Sequence, residues 1–183
     1  MSEFSFEGVL TPTGDPFEMA QAYACTGKQG RLPSNEVIEM QGYANEELDQ
    51  IERLYDIRIS GQLKSFLLEM GRSDGGLIGD SFIQLYRPSW RVRAHLLFQV
   101  DFFNQMQETG HYEFLNKPFV LAWISETQYY FVQTSLADDA IYHYDSNVEC
   151  VVKTEWDLCG FLRMLAHEND GDTKAVVGDL LAI

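Results

Sequence analysis

The sequence predicts an α+β fold: a mostly antiparallel sheet of about 4–6 strands packed against helices, as a single domain with an N-terminal arm. Three observations predict it. Two amphipathic helical segments lie within residues 45–70. From residue 118 a series of short strand-like runs is joined by links too short to hold crossover helices, so neighbouring strands must run antiparallel. An apolar stripe over Leu158, Phe161, Leu162 and Leu165 then closes the domain with a helix. A chain of 183 residues has room for one such domain plus an arm.

Residues 1–43 read as the arm, and residues 44–183 as the domain. In the arm, Thr11-Pro12 and Thr13-Gly14 form a turn. Asp15-Pro16 with Glu18 then opens a short helix, with Asp15 as cap and Pro16 in the first turn. Thr26–Gly30 and Pro33-Ser34-Asn35 break the chain again. The first domain helix starts near Asn45, with Leu48, Ile51, Leu54 and Tyr55 on one stripe. Glu46, Glu47 and Asp49 in its first turn suit the helix dipole. After the link 56–60, Ser60 caps a second helix that buries Leu63, Phe66, Leu67 and Met70. Gly71 ends it as a C-terminal glycine. A glycine-rich turn follows over 73–79.

Residues 82–86 read as a strand, broken by Pro88-Ser89-Trp90. From Val92 to Met106 the spacing of Leu96, Val100, Phe103 and Met106 predicts a helix facing the core through those residues, closed by Gly110. Strands are expected at Phe119–Ile124, Tyr129–Thr134, Ala140–Tyr144 and Cys150–Val152. The closing helix is expected to open at Thr154, with Asp157 completing a capping box. The acidic stretch after Glu168 reads as a solvated loop.

Aromatic residues make up 13% of the chain, which excludes global disorder. Net charge is −15 and is unevenly spread. Residues 1–57 and 118–183 each hold eleven acids against three bases, whereas residues 58–117 are nearly neutral. Such a chain repels phosphate backbones and anionic membranes, so neither nucleic acid nor membrane is an expected partner. It attracts basic proteins. No run reaches the roughly 18 apolar residues of a membrane span, and the N-terminus has no secretory pattern. Three cysteines, Cys25, Cys150 and Cys159, form no CxxC pair, as expected of free thiols in the cytoplasm.

Motifs for chemistry are scarce. The histidines are His95, His111, His143 and His167. His111-Tyr112-Glu113 resembles the opening of a deaminase signature without its cysteine half. Cys150 or Cys159 with His143 or His167 would be the only nucleophilic pairs, and both cysteines lie inside expected secondary structure. The loop 71–79 has no lysine and follows a helix, the reverse of a phosphate-binding loop. Asp138, Asp139, Asp145 and Glu149 lack the spacing of a calcium loop. Solvated loop charge, or a contact surface for a basic protein, accounts for them better. The expectation is a non-enzyme with no cofactor and no metal.

The run Glu46–Ser60, then Leu63–Gly71 and Gly75-Gly76, resembles the opening of the SUKH superfamily. In that pattern a helix, a short link, a second helix with an aromatic core and a glycine-pair turn follow in order. Phe119–Ala122, Tyr129–Thr134, Asp139–Asp145 and Trp156–Leu162 resemble its sheet and closing helix. The likeness spans roughly residues 44–167. This chain has Ser60-Gly61 in place of the link's usual proline and Asp74 in place of the usual asparagine. The resemblance implies an immunity protein that binds and neutralises a cognate bacterial toxin, commonly a nuclease and therefore basic. The alternative it implies is a regulatory adaptor or scaffold. It supplies no catalytic residues and no conserved ligand surface. Candidate contact residues read from this chain are Glu126, Asp138, Asp139, Tyr142, Tyr144, Asp145 and Glu149, with Tyr129, Tyr130 and Trp156 as further aromatic anchors. Tyr142 and Tyr144 share one strand face, with His143 on the other. That face either meets a partner or packs on the closing helix. The protein is expected to be a monomer or a weak homodimer.

Overall fold

The computed structural model of the protein describes residues 39–78, 84–86, 94–124, 127–168 and 176–182. The turn and helix expected in the arm, the Pro88–Trp90 break and the loop after Glu168 lie outside them. Asn45–Tyr55 folds as α1, with Leu48, Ile51 and Tyr55 buried as their spacing requires. Glu47 reaches back and accepts the Ala44 N–H (2.8 Å), so a carboxylate satisfies an orphan donor at the positive end of the helix. Asp56 ends α1 in the left-handed region (φ 49°).

The second helix, α2 (Gly61–Met70), buries Leu63, Phe66, Leu67 and Met70. Ser60 stands at its N-cap in extended conformation, but its hydroxyl caps nothing. The Gln62 N–H is taken instead by Asp139 Oδ1 (3.0 Å), from far along the chain. Gly71 follows α2 with φ −64°, not in the left-handed conformation expected of it. Its reason is space: a Cβ would stand 2.6 Å from the Leu67 carbonyl oxygen and 2.8 Å from the Tyr43 ring. The left-handed positions fall to Gly75 (φ 67°) and Gly76 (φ 92°) in the next turn.

Two short strands, β1 (Met40–Gln41) and β2 (Ser73–Asp74), pair antiparallel. Tyr43 is buried and donates its N–H to the Leu67 carbonyl (2.9 Å). The described end of the arm thus packs on the domain. Asp74 is buried and organises the turn that follows. Its two oxygens accept the N–H groups of Gly76 (2.8 Å) and Ile78 (2.7 Å). Asp74→Ala removes this acceptor from both donors and is expected to cost about 2 kcal/mol. A urea midpoint unchanged from the parent would refute that role.

Pro118–Ile124, Gln128–Gln133, Ala140–Asp145 and Cys150–Asp157 form β3 to β6, an antiparallel sheet in sequence order. The sheet is covered on both faces. One face presents Val132 and Ile141, with Tyr130, to α1, α2 and the closing helix α4 (Leu158–Glu168). The other presents Val120, Tyr129, Phe131, Tyr142 and Tyr144 to Phe102, Met106 and Phe114. Alternation along β4 and β5 decides which residues go where.

Three expectations are corrected. Residues 84–86 form a single 3₁₀ turn rather than a strand end. Tyr86 is wholly buried there and donates its hydroxyl to the Met70 carbonyl (2.5 Å). The closing helix starts at Leu158, not Thr154, because β6 runs on to Asp157 opposite Ala140. Asp157 still caps the helix, from the N-cap position, accepting the Gly160 N–H (2.7 Å).

The third correction concerns α3 (Ala94–Glu108). It does not face the core through Val100, which is 48% exposed, and Phe103 is only half-buried. The buried stripe is His95, Gln99, Phe102 and Met106. Its two polar members seal the edge of β3. Gln99 Nε2 donates to the Pro118 carbonyl (2.6 Å), Gln99 Oε1 accepts the Val120 N–H (3.0 Å), and His95 Nε2 meets the Val120 carbonyl (2.7 Å). An edge strand must satisfy its outward backbone groups, and here two helix side chains do so.

Candidate functional site

The sheet separates the candidate contact residues. Asp138 and Asp139 lie in the loop before β5, and Asp145 and Glu149 lie at the other end of the same strand. Six residues of strand hold the two groups about 17 Å apart. Glu126 lies outside the described residues.

The loop before β5 serves the fold. Asp138 pairs with Lys153 (2.7 Å), and that ammonium also sits over the Tyr142 ring. Burial pushes the Asp139 carboxyl upward, although it accepts the Gln62 N–H, and nearby Asp157 adds to the rise. Gln62 also donates to Asp157 Oδ2 (2.8 Å), and its side-chain oxygen accepts the Cys159 N–H (2.8 Å). Asp139 and Asp157 therefore lock α2 to α4. Gly61 shows how tight the junction is: with φ +56°, a Cβ there would stand 2.5 Å from Asp139 Oδ1.

Tyr142 and Tyr144 do share a face, with His143 opposite, but the face packs on α3 and Phe114 rather than on the closing helix. They are 8% and 1% exposed, so neither offers its ring to a partner, which was one of the two alternatives expected of this face. Tyr129 is wholly buried, with its hydroxyl bonded to Asp101 (2.5 Å) and Gln105 (2.8 Å). Tyr130 stacks between His143 (4.6 Å) and Phe161 (4.9 Å). Trp156 is half-buried against Phe161.

The other end of the sheet is built differently. The last turn of α3, the short helix at Tyr112–Leu115 and the turn between β5 and β6 meet there. His111 Nε2 meets the Glu149 carbonyl (2.8 Å), which ties the first two elements to the third. Glu113 lies 3.9 Å from His111 Nδ1. Asp145 is held below the ordinary carboxylate range by Gln128, and then by the Asn147 N–H (2.8 Å). Burial pushes the Tyr144 hydroxyl up, and the charges of Glu149, Asp145 and Glu108 push the same way. Glu108, Glu113, Asp145 and Glu149 thus surround one pole of the domain. Within it stand two large apolar side chains in water, Tyr112 (65% exposed) and Val148 (67% exposed).

The pole joins segments distant in sequence, so only Asp145 and Glu149 were singled out beforehand. Glu108 and Glu113 were missed. Tyr112 and Val148, each beside a residue of the His111–Glu149 contact, were not read as contact residues either; Tyr112 opens a short helix and Val148 lies in a turn, and neither position carries a periodic signal.

Cys159 is buried, and burial pushes its thiol up, the opposite of a nucleophile's need. Cys150 is exposed. Among the described residues no group of three or more histidine, cysteine or carboxylate side chains is placed to hold a metal ion. Among them, too, no helix is long and apolar enough to cross a membrane. Fold and site together define a class: a two-faced α+β domain with an acidic, partly apolar pole. No protein family, curated protein or solved structure matches the chain.

Proposed function

We propose that the protein is an immunity protein of SUKH type, which captures a basic toxin domain, of nuclease kind, through the acidic pole and has no catalysis of its own. It would work in the cytoplasm, where such a toxin must be stopped. The observation that carries this reading is the pairing of four carboxylates with exposed Tyr112 and Val148 at one end of the sheet. Rim charges speed capture of an opposite charge, and central apolar anchors slow release. The net charge of −15 and the resemblance over residues 44–167 support the same reading.

Co-expression with a candidate toxin encoded beside it tests the proposal. Rescue of growth and a stoichiometric complex are expected. Glu113→Lys with Glu149→Lys should lower the association rate at least about tenfold at low salt, with the folding midpoint unchanged. Tyr112→Ala should act on release and cost about 2 kcal/mol of affinity. No rescue, or a complex indifferent to all three changes, would sink it. Several weak partners without a neighbouring toxin would favour the adaptor reading.

A further inference from the structure

The two edges of the sheet are treated unequally. His95 and Gln99 seal β3, whereas β6 borders only β5 among the described residues. The ladder shows which groups of β6 point away. Ser146 N–H donates to the Thr127 carbonyl (2.9 Å), one step beyond the Gln128–Asp145 pair. Hydrogen bonding alternates along an antiparallel pair, so the backbone groups of His143 and Asp145 turn toward β6. They face Val152 and Cys150. Leu158 N–H donates to the Asp139 carbonyl (2.9 Å), which sets the same parity at the far end of β6. The ladder shifts register opposite Ile141, where β6 carries two extra residues between Lys153 and Asp157. Parity is the same on both sides of the shift, so the backbone groups of Val151, Lys153 and Asp157 point out along the open edge, and Glu155 lies on the same row within the bulge. The residues on that edge are unusually accessible for a strand: Val152 is 47% exposed, and Lys153 and Glu155 are exposed.

We propose that a second copy of the chain pairs antiparallel with β6 about a two-fold axis at Thr154. A two-fold contact must be self-complementary, each residue meeting its opposite number twice. Outward backbone groups must also meet outward ones. Centring on Lys153 or on Glu155 satisfies parity but sets like charges against each other on the axis. Centring on Thr154 sets Lys153 against Glu155 of the second copy, twice. It also sets Val152 against Trp156, twice, and the two Thr154 side chains together. Opposite charges, apolar pairs and threonine pairs are the cross-strand combinations that stabilise a sheet. The two four-stranded sheets become one continuous sheet of eight strands. The acidic poles end up at opposite ends and stay free, so this inference does not depend on the toxin-binding proposal.

Sedimentation of the full chain, from about 1 µM to about 1 mM, tests it, since a contact this small is expected to be weak. A reversible dimer is expected. Glu155→Lys sets lysine against lysine twice and should weaken association at least about tenfold. Adding Lys153→Glu together with Asp138→Lys, which keeps the ion pair between those two positions with its charges reversed, should restore it by exchanging the charges across the contact. Raising the concentration should slow hydrogen exchange at the Val151, Lys153 and Glu155 amides and not at Val152. Among the described residues Glu155 makes no ion pair, so its substitution leaves the described pairs of the monomer in place. A monomer at every concentration overturns the proposal, whatever else occupies the edge. So does a dimer indifferent to Glu155→Lys, or one that the exchanged pair fails to restore.

Discussion

Phe102→Ala is expected to destabilise the protein by about 3–5 kcal/mol, the range for deleting a buried phenylalanine. Phe102 is wholly buried at the centre of the aromatic face of the sheet. Its ring centroid lies 4.7 Å from Phe131, 5.7 Å from Tyr129 and 6.4 Å from Tyr144. Three stiff rings held by strands cannot close over the space it leaves, so most of the cavity persists. Val100→Ala, on the exposed side of the same helix, should change stability by less than about 0.5 kcal/mol. Urea denaturation of the two variants decides between the observed orientation of α3 and the one its apolar spacing suggested. Equal losses, or a larger loss at Val100, would contradict the packing described.

Acid should weaken the fold through His95. The imidazole is 5% exposed, against Tyr55 and Phe119, with one nitrogen on the Val120 carbonyl. Burial lowers its pKa to about 4 from the ordinary 6.5. In the unfolded chain the ring takes up a proton near pH 6.5, but in the folded protein only near pH 4. Between these values the unfolded state binds more protons, so stability is full above pH 6.5 and falls as the pH drops toward 4. The interval corresponds to about 3 kcal/mol at most. Asp139 acts in the opposite sense, because its carboxyl is raised on folding and protonation relieves it. Its contribution begins at the acid end of the same window and flattens the curve there. His95→Gln retains an N–H for the Val120 carbonyl and removes the titration. The difference between parent and variant stability should shift by up to about 3 kcal/mol between pH 7 and pH 4.5. Parallel curves would show that the ring does not titrate as described.

Much of the architecture was legible before any coordinates. The stripes of α1 and α2, the antiparallel order of β3 to β6 and the opposed faces of Tyr144 and His143 follow from periods of 3.6 and 2. The errors are instructive. In α3 the apolar residues alone indicate a face through Val100, but the buried stripe includes His95 and Gln99. A rule that counts apolar positions passes over polar side chains buried to satisfy a strand edge. At Thr154 a capping pattern stood over residues that continue a strand. The ladder to β5 outweighed it, with the Thr154 hydroxyl spent on the Ile141 carbonyl (2.8 Å).

The acidic character of the chain, its class of fold and the strand boundaries near the turns were determined by composition and periodicity, which are local properties. Which carboxylates act together was decided only by tertiary structure. Asp139 and Asp145 sit six positions apart at the two ends of β5, yet one locks two helices and the other faces water at the pole. The difference arises because a strand carries its two ends to opposite sides of the domain. What each end meets there, the Gln62 amide or solvent, comes from segments remote in the sequence.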